Sequence, residues 1–401
     1  MRGKDAIQMK IQAMCQRVEQ LQQAGLYYYN LPATEILPGA RVMVHGREMA
    51  MFASYSYLGL LGHPRINAAA KAAIDTYGTG THGVRTLAGS LQLHEELEEK
   101  IAAFKGTERA VTYSSGYVTN LTVISSLVGR RDFVFCDKLN HASIVDGCML
   151  SGARFVRFRH NDMQDLEARL ASVPSESAKL VVVDAVFSMD GDIIDLPGLS
   201  ALCRRNGAWL MVDEAHSLGV LGRTGSGIEE HFGLHGVIDI QMGTLSKTIP
   251  SIGGYLAGSA DLITYLRHAS RAYIFSAALP PAQAAAALEA LRVIEDEGWR
   301  VEMVQRNARR FIDGLRARGF DTMQTETAIV PVLCGADELA FGLTRAAQEQ
   351  GLFVLPVISP AVPEGLARLR ATVTAAHAPE TIDRAIDVLE TAARQVGILA
   401  G

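Results

Sequence analysis

The chain has 401 residues, with 38 Lys and Arg against 43 Asp and Glu, and a net charge of −5. That length gives roughly two to three domains, and 48% hydrophobic with 20% charged residues fits an ordered globular α/β protein. The charge balance disfavours long polyanionic partners, "MRGKDAIQMK" lacks a signal-peptide core, and runs such as "LVVVDAVF" meet charge before membrane-spanning length, so a cytosolic protein is expected. Five scattered cysteines without a C-x-x-C pair indicate neither a disulfide framework nor a zinc site, and read as buried thiols.

In chain order, Ile7, Ile11, Met14, Val18 and Leu21 recur at helical spacing and Gly25 caps the run. "ARVMVHGREMAMFA" reads as a hairpin about Gly46, and "HPRINAAAKAAIDTYG" as a helix stopped by Gly78. After the glycine-rich "YGTGTHGVRTLAGS", short apolar strands alternate with helices: "AVTYSS", "DFVFCD", "ARFVRF", "KLVVVDAV" and "AWLMVDEA", completed by "IDIQMGTL" and "GGYLAGS". Strands without polar alternation belong to a mostly parallel sheet covered on both faces, with ligands at the strands' carboxyl ends. One long helix, "AQAAAALEALRVIEDEGWRVEMVQRNARRFIDGLRARG", then leads to "AIVPVLC", "FVLPVIS" and "RLRATVT", a change of rhythm that predicts a smaller C-terminal α+β domain. The expected division is 1–55 (N-terminal helix and hairpin), 56–298 (large domain) and 299–401 (small domain).

"VDEAH", ending a predicted strand, has two incompatible readings. An ATP-driven motor needs the phosphate loop G-x-x-x-x-G-K-[ST], and the chain has none; "GTLSKT" lacks the glycine before its lysine. A pyridine-aldehyde cofactor instead needs an amine to condense with and a carboxylate to keep its ring nitrogen protonated. Lys247 and Asp213 suit those roles, His216 can bond the ring's phenolic oxygen, and Thr244 and Ser246 can bind phosphate. A lone loop lysine is ordinarily a solvated surface group; the pairing with Asp213 is what singles it out. "YSSGYVTN" follows a strand and opens a helix, so the N–H groups of Gly116 and Tyr117 can receive phosphate, and "DKLNHASIVDG" places His141 to stack on the ring.

Taken together, "YSSGYVTN", "DKLNHASIVDG", "VFSMDGDIIDLPGL", "VDEAHSLGVLGRTGSG", "GTLSKTIPSIGGY", "FSAALPP" and "RLRATVTAAH" resemble, in order and spacing, the α-oxoamine synthases, fold-type I pyridoxal phosphate enzymes. The resemblance covers nearly the whole chain. It implies a large, mostly parallel seven-stranded sheet domain with a smaller C-terminal domain, and a homodimer with shared active sites. By the same resemblance Lys247 is the cofactor lysine, Asp213 the ring-nitrogen partner, His216 the phenolic-oxygen ligand, and His141 the stacking histidine. Ser188 lies beside the cofactor, Arg370 pairs with the amino-acid carboxylate, and Ser276 reaches the phosphate of the neighbouring subunit. Tyr55, where several members carry asparagine, and the "SIGGY" turn bring the chain nearer to the serine palmitoyltransferase branch. His82 and Val84 lie in a segment that borders the substrate pocket in this family.

The activity implied is a decarboxylating condensation of a small α-amino acid, serine or alanine ahead of glycine, with a medium or long acyl thioester on coenzyme A or an acyl carrier protein. The products are an α-aminoketone, CO₂ and free thiol. Condensations of the 2-amino-3-ketobutyrate or 8-amino-7-oxononanoate type are alternatives within the family. A fold-type I aminotransferase would use the same lysine and aspartate without consuming a thioester. A catalytically dead partner subunit would have lost its lysine, and Lys247 is present.

Overall fold

"FVFCD" and "KLVVVD" have no alternation because both faces of their sheet are covered, and in the computed structural model, which describes residues 3–400, every residue of both strands is buried. The large sheet has seven strands: β1 (Arg109–Tyr113), β2 (Phe133–Asp137), β3 (Arg154–Phe158), β4 (Lys179–Asp184), β5 (Trp209–Asp213), β6 (Ile240–Thr244) and β7 (Gly254–Gly258). Their spatial order is β1-β7-β6-β5-β4-β2-β3. Only β7 runs against the others, pairing antiparallel with β1 and β6, while the remaining pairs are parallel. The pleat divides each apolar run between two cores: Val181 and Val183 enter one buried cluster, Leu180 and Val182 the other. With six strands parallel, the carboxyl ends Tyr113, Asp137, Asp184, Asp213 and Thr244 fall along one edge.

The chain divides into two compact units, one of residues Ser54–Pro331 with Thr372–Asp383, the other of the residues up to Ala53, Val332–Ala371 and those from Arg384 onward. The first holds the large sheet. It also holds the helices Pro281–Asp296 and Trp299–Ala317, which the sequence reads as one. The break falls at Glu297 and Gly298, where Arg300 donates to the Glu297 carboxylate at 2.7 Å and glycine weakens helix continuation. Trp299 onward, expected at the head of the small domain, thus begins in the unit of the large sheet.

In the smaller unit, the helix Gly3–Gln23 ends before Gly25 at φ 65°. The hairpin Arg41–Val44/Arg47–Met51 turns at His45 and Gly46, both at positive φ, as a tight two-residue turn requires. "FVLPVIS" forms two short pieces in different sheets. Leu352–Phe353 pairs parallel with Arg47–Met51, and Pro356–Val357, where proline offers no N–H, pairs with Ala367–Thr372. Among the described residues no helix is long and apolar enough to cross a membrane.

Candidate active site

Five strand ends of the large sheet lead to the anticipated site residues. Beyond β1, Ser115 caps the helix Gly116–Leu127 by accepting from the Val118 N–H at 3.1 Å. That first turn lies so close to β7 that a Cβ on Gly254 would fall 2.7 Å from both N and Cα of Gly116 and 2.4 Å from the Thr119 hydroxyl. Beyond β2, His141 caps the helix Ala142–Ser151. β4 ends at Asp184 and leads to Ser188, β5 ends at Asp213 and leads to His216, and β6 ends at Thr244, followed by Ser246 and Lys247. A cavity of about 220 Å³ collects them: its wall includes Gly116, Tyr117, His141, Ser188, Asp213, His216, Thr244, Ser246 and Lys247, all anticipated from sequence.

Lys247 Nζ lies 2.8 Å from His216 Nε2, and the Tyr57 hydroxyl lies 2.6 Å from His216 Nδ1. Tyr57 is fully buried, so this hydroxyl is fixed by packing. Tyr55 belongs to the same group, its ring 5.6 Å from Lys247 Nζ and 5.8 Å from the His216 ring. A lysine amine, an imidazole and a phenol therefore stand in line.

Asp213 is held from both sides. Its Oδ1 accepts from the Ala215 N–H at 2.9 Å and its Oδ2 from the Asn120 amide at 2.7 Å. Asn120 also donates to the Ser143 hydroxyl at 2.9 Å, and that hydroxyl lies 2.7 Å from His141 Nδ1. The His141 backbone N–H donates to Asp184 Oδ2 at 2.7 Å. Register places Asp184 opposite Asp213 on adjacent strands. Burial, together with Asp213, pushes the Asp184 carboxyl well above the usual carboxylate range, against its bond from His141. Desolvation lowers the His141 pKa; Asp213 opposes this and Lys247 reinforces it.

Pyridoxal phosphate fits these residues. Gly116 leaves a cradle that a Cβ would fill, at 3.1 Å from Thr244. Thr244 Oγ1 lies 2.8 Å from Ser246 Oγ, giving paired hydroxyls beside the helix start, an arrangement that suits phosphate. The Asn120 side-chain oxygen is buried without a hydrogen-bond partner, next to a carboxylate, so this part of the wall is acceptor-rich and suits a protonated ring nitrogen. Lys247 would supply the amine.

Other anticipated residues lie outside this wall. Val84 and Ala277 form an isolated bridge, and the Ala278 N–H donates to the Gly83 carbonyl at 3.1 Å, so the segments carrying exposed His82, Val84 and half-buried Ser276 are tied together. Arg85 anchors that pair of segments through its ion pair with buried Glu98, at 2.7 Å. Arg370 is buried on the strand Ala367–Thr372 of the smaller unit. Sequence reasoning missed Tyr57, Asn120, Ser143 and Asp184. The last three stand inside quoted stretches, yet nothing in their local spacing distinguishes them from core residues.

The profile of the aminotransferase class I and II family matches residues 47–389. The 8-amino-7-oxononanoate synthase of Geobacter sulfurreducens is 46% identical over 384 residues, 95% of this chain and 98% of that protein. The serine palmitoyltransferase of Sphingobacterium spiritivorum is 43% identical over 381 residues, 95% of each. Among solved structures, a serine palmitoyltransferase from S. paucimobilis holding PLP and myriocin superposes with a TM-score of 0.94 at 36% identity, over 98% of this chain and 99% of that one.

Proposed function

The chain belongs to the aminotransferase class I and II family and, within it, to the α-oxoamine synthases, fold-type I C-acyltransferases that use pyridoxal phosphate; on that premise we propose that it condenses serine or alanine with a medium or long acyl thioester. The observation that carries this reading is the convergence of Lys247, His216, Asp213 and His141 on one cavity wall. The names of the relatives describe a palmitoyl transfer and a nonanoate product, which supports the longer acyl chain. The acyl group arrives on coenzyme A or a carrier protein, and the reaction takes place in the cytoplasm, in keeping with five unpaired cysteines.

When bound, pyridoxal phosphate supplies an electron sink for a carbanion at the amino acid's α carbon. Asp213 holds a proton at the ring nitrogen, and His216 donates to the phenolic oxygen. Gly116, Tyr117, Thr244 and Ser246 hold the phosphate, with Ser188 beside the ring. Lys247 takes the α-proton and returns one at the end. Arg370 grips the α-carboxylate through a guanidinium fork, and His141 orients carboxylate or carbonyl oxygen. Tyr55, His82 and Val84 border the substrate. Overall, the α carbon bonds to the acyl carbon, the thiol leaves, CO₂ departs and an α-aminoketone remains. Ser276 completes the phosphate site of a second copy, so the active form is a homodimer.

Purified protein should be yellow, and borohydride should fix the cofactor on Lys247, whereas Lys247→Ala should bind it without fixation. Asp213→Ala should lose several kcal/mol of barrier lowering, on the order expected for a central electrostatic group. Glycine, alanine and serine offered against acetyl, octanoyl and palmitoyl thioesters, on coenzyme A and on a carrier protein, with thiol and CO₂ release followed, decide the substrates. Preference for glycine with acetyl-CoA would overturn the choice proposed. Mixing Lys247→Ala with Ser276→Ala protein should change activity through hybrid dimers; a fully active monomer contradicts the dimer.

A further inference from the structure

We propose that Asn120 and Ser143 are positioning residues that fix His141 as a hydrogen-bond donor through Nε2 and hold it in step with Asp213. The proposal rests on the reading above for what these two groups face. The relay itself consists of this chain's own atoms.

Its direction follows from donor chemistry. The Ser143 backbone N–H can only donate, and it reaches His141 Nδ1 at 3.3 Å, so Nδ1 carries a lone pair. The Ser143 hydroxyl, 2.7 Å from the same nitrogen, then points its proton there and leaves its lone pairs for the Asn120 amide at 2.9 Å. Asn120 spends its second N–H on Asp213 Oδ2 at 2.7 Å. The flipped amide would set its oxygen against the Asp213 carboxylate oxygen, which can only accept, so the orientation is forced. Asn120 and Ser143 are each 1% exposed, and neither can be re-solvated to escape the arrangement.

A neutral imidazole with a lone pair on Nδ1 carries its hydrogen on Nε2. Among the described residues no hydrogen bond occupies Nε2, and His141 lines the cavity. With its pKa held below the ordinary histidine value, the ring stays neutral near pH 7. His141 therefore meets a substrate oxygen as a donor, stabilising negative charge as it builds there, and proton abstraction is left to Lys247. Because the relay ends on Asp213, the donor and the ring-nitrogen partner cannot reorient separately.

The test is ¹⁵N NMR of histidine-labelled protein, with and without pyridoxal phosphate, the His141 signals being identified by their loss in His141→Gln. Wild type should show neutral His141 protonated on Nε2 near pH 7. Ser143→Ala leaves only the longer backbone contact of 3.3 Å on Nδ1 in place of the hydroxyl at 2.7 Å and, like Asn120→Ala, should shift it to a tautomer mixture, and Ser143→Thr should restore it. In turnover, Ser143→Ala should lower kcat on the order of tenfold, the scale of one hydrogen bond, with KM for the amino acid little changed. An Nδ1–H ring or an imidazolium in wild type, an unchanged tautomer in Ser143→Ala, or a loss confined to KM would each overturn the proposal. Failure to take up pyridoxal phosphate would instead defeat the functional reading and leave the tautomer result standing.

Discussion

At the scale of single residues, Tyr57 shows what local sequence conceals. Two positions from Tyr55, which is 44% exposed, Tyr57 is fully buried and its hydroxyl serves His216. Under the proposed function the cofactor's ionised phenolic oxygen can only accept, so His216 would present Nε2–H, and a neutral ring would then need a donor at Nδ1. Tyr57 is that donor. Tyr57→Phe should remove that bond and weaken pyridoxal phosphate binding roughly tenfold, the cost of one buried hydrogen bond. Titration by cofactor absorbance checks this, and wild-type affinity in the variant would refute the role. Lys247, Asp213 and His216 were legible because each ends or follows an apolar strand within a distinctive motif. Tyr57 and Asn120 were not, since their partners lie 159 and 93 positions away. Only the fold brings those atoms together.

At the scale of elements, the alternating apolar runs announced the parallel strands, and the structure places all seven in one sheet. The long helix was misread because its apolar spacing continues through "DEGWR" without a proline to stop it. A single glycine, backed by Glu297, suffices to divide it. A different glycine bears on the site. Gly254→Ala would push a methyl group into the first turn of the helix Gly116–Leu127, whose backbone lies at 2.7 Å from the new Cβ. That overpacking should cost about 1–3 kcal/mol and tilt the helix start away from Thr244. The urea midpoint and the affinity for pyridoxal phosphate should therefore fall together. If stability alone fell, the helix start would not contribute to holding phosphate.

At the scale of the whole molecule, pH acts on stability through His160. Its ring bridges Asp137 at 3.0 Å and Asp192 at 2.9 Å, joining the end of β2 to the loop that carries Ser188. Burial favours the neutral ring, but the two carboxylates outweigh it and push the pKa up to about 10. The folded value is above the unfolded one, so the contribution is complete below about pH 6.5 and disappears as pH rises through about 10. Stability should fall across that window by up to about 1.4 kcal/mol per pH unit, and His160→Gln should flatten the slope. Denaturant melts from pH 6 to 10 measure it; a wild-type curve as flat as the variant's would count against the bridge. The polarity of the large sheet has a consequence for protein engineering. The strand ends that line the cavity all belong to the carboxyl edge, which leaves the turns at the amino edge away from it. A reporter peptide spliced in at exposed Glu176, ahead of β4, should leave cofactor uptake intact, whereas the same insert after Asp213 would abolish it. The catalyst thus carries its own handle, on the side away from its reaction.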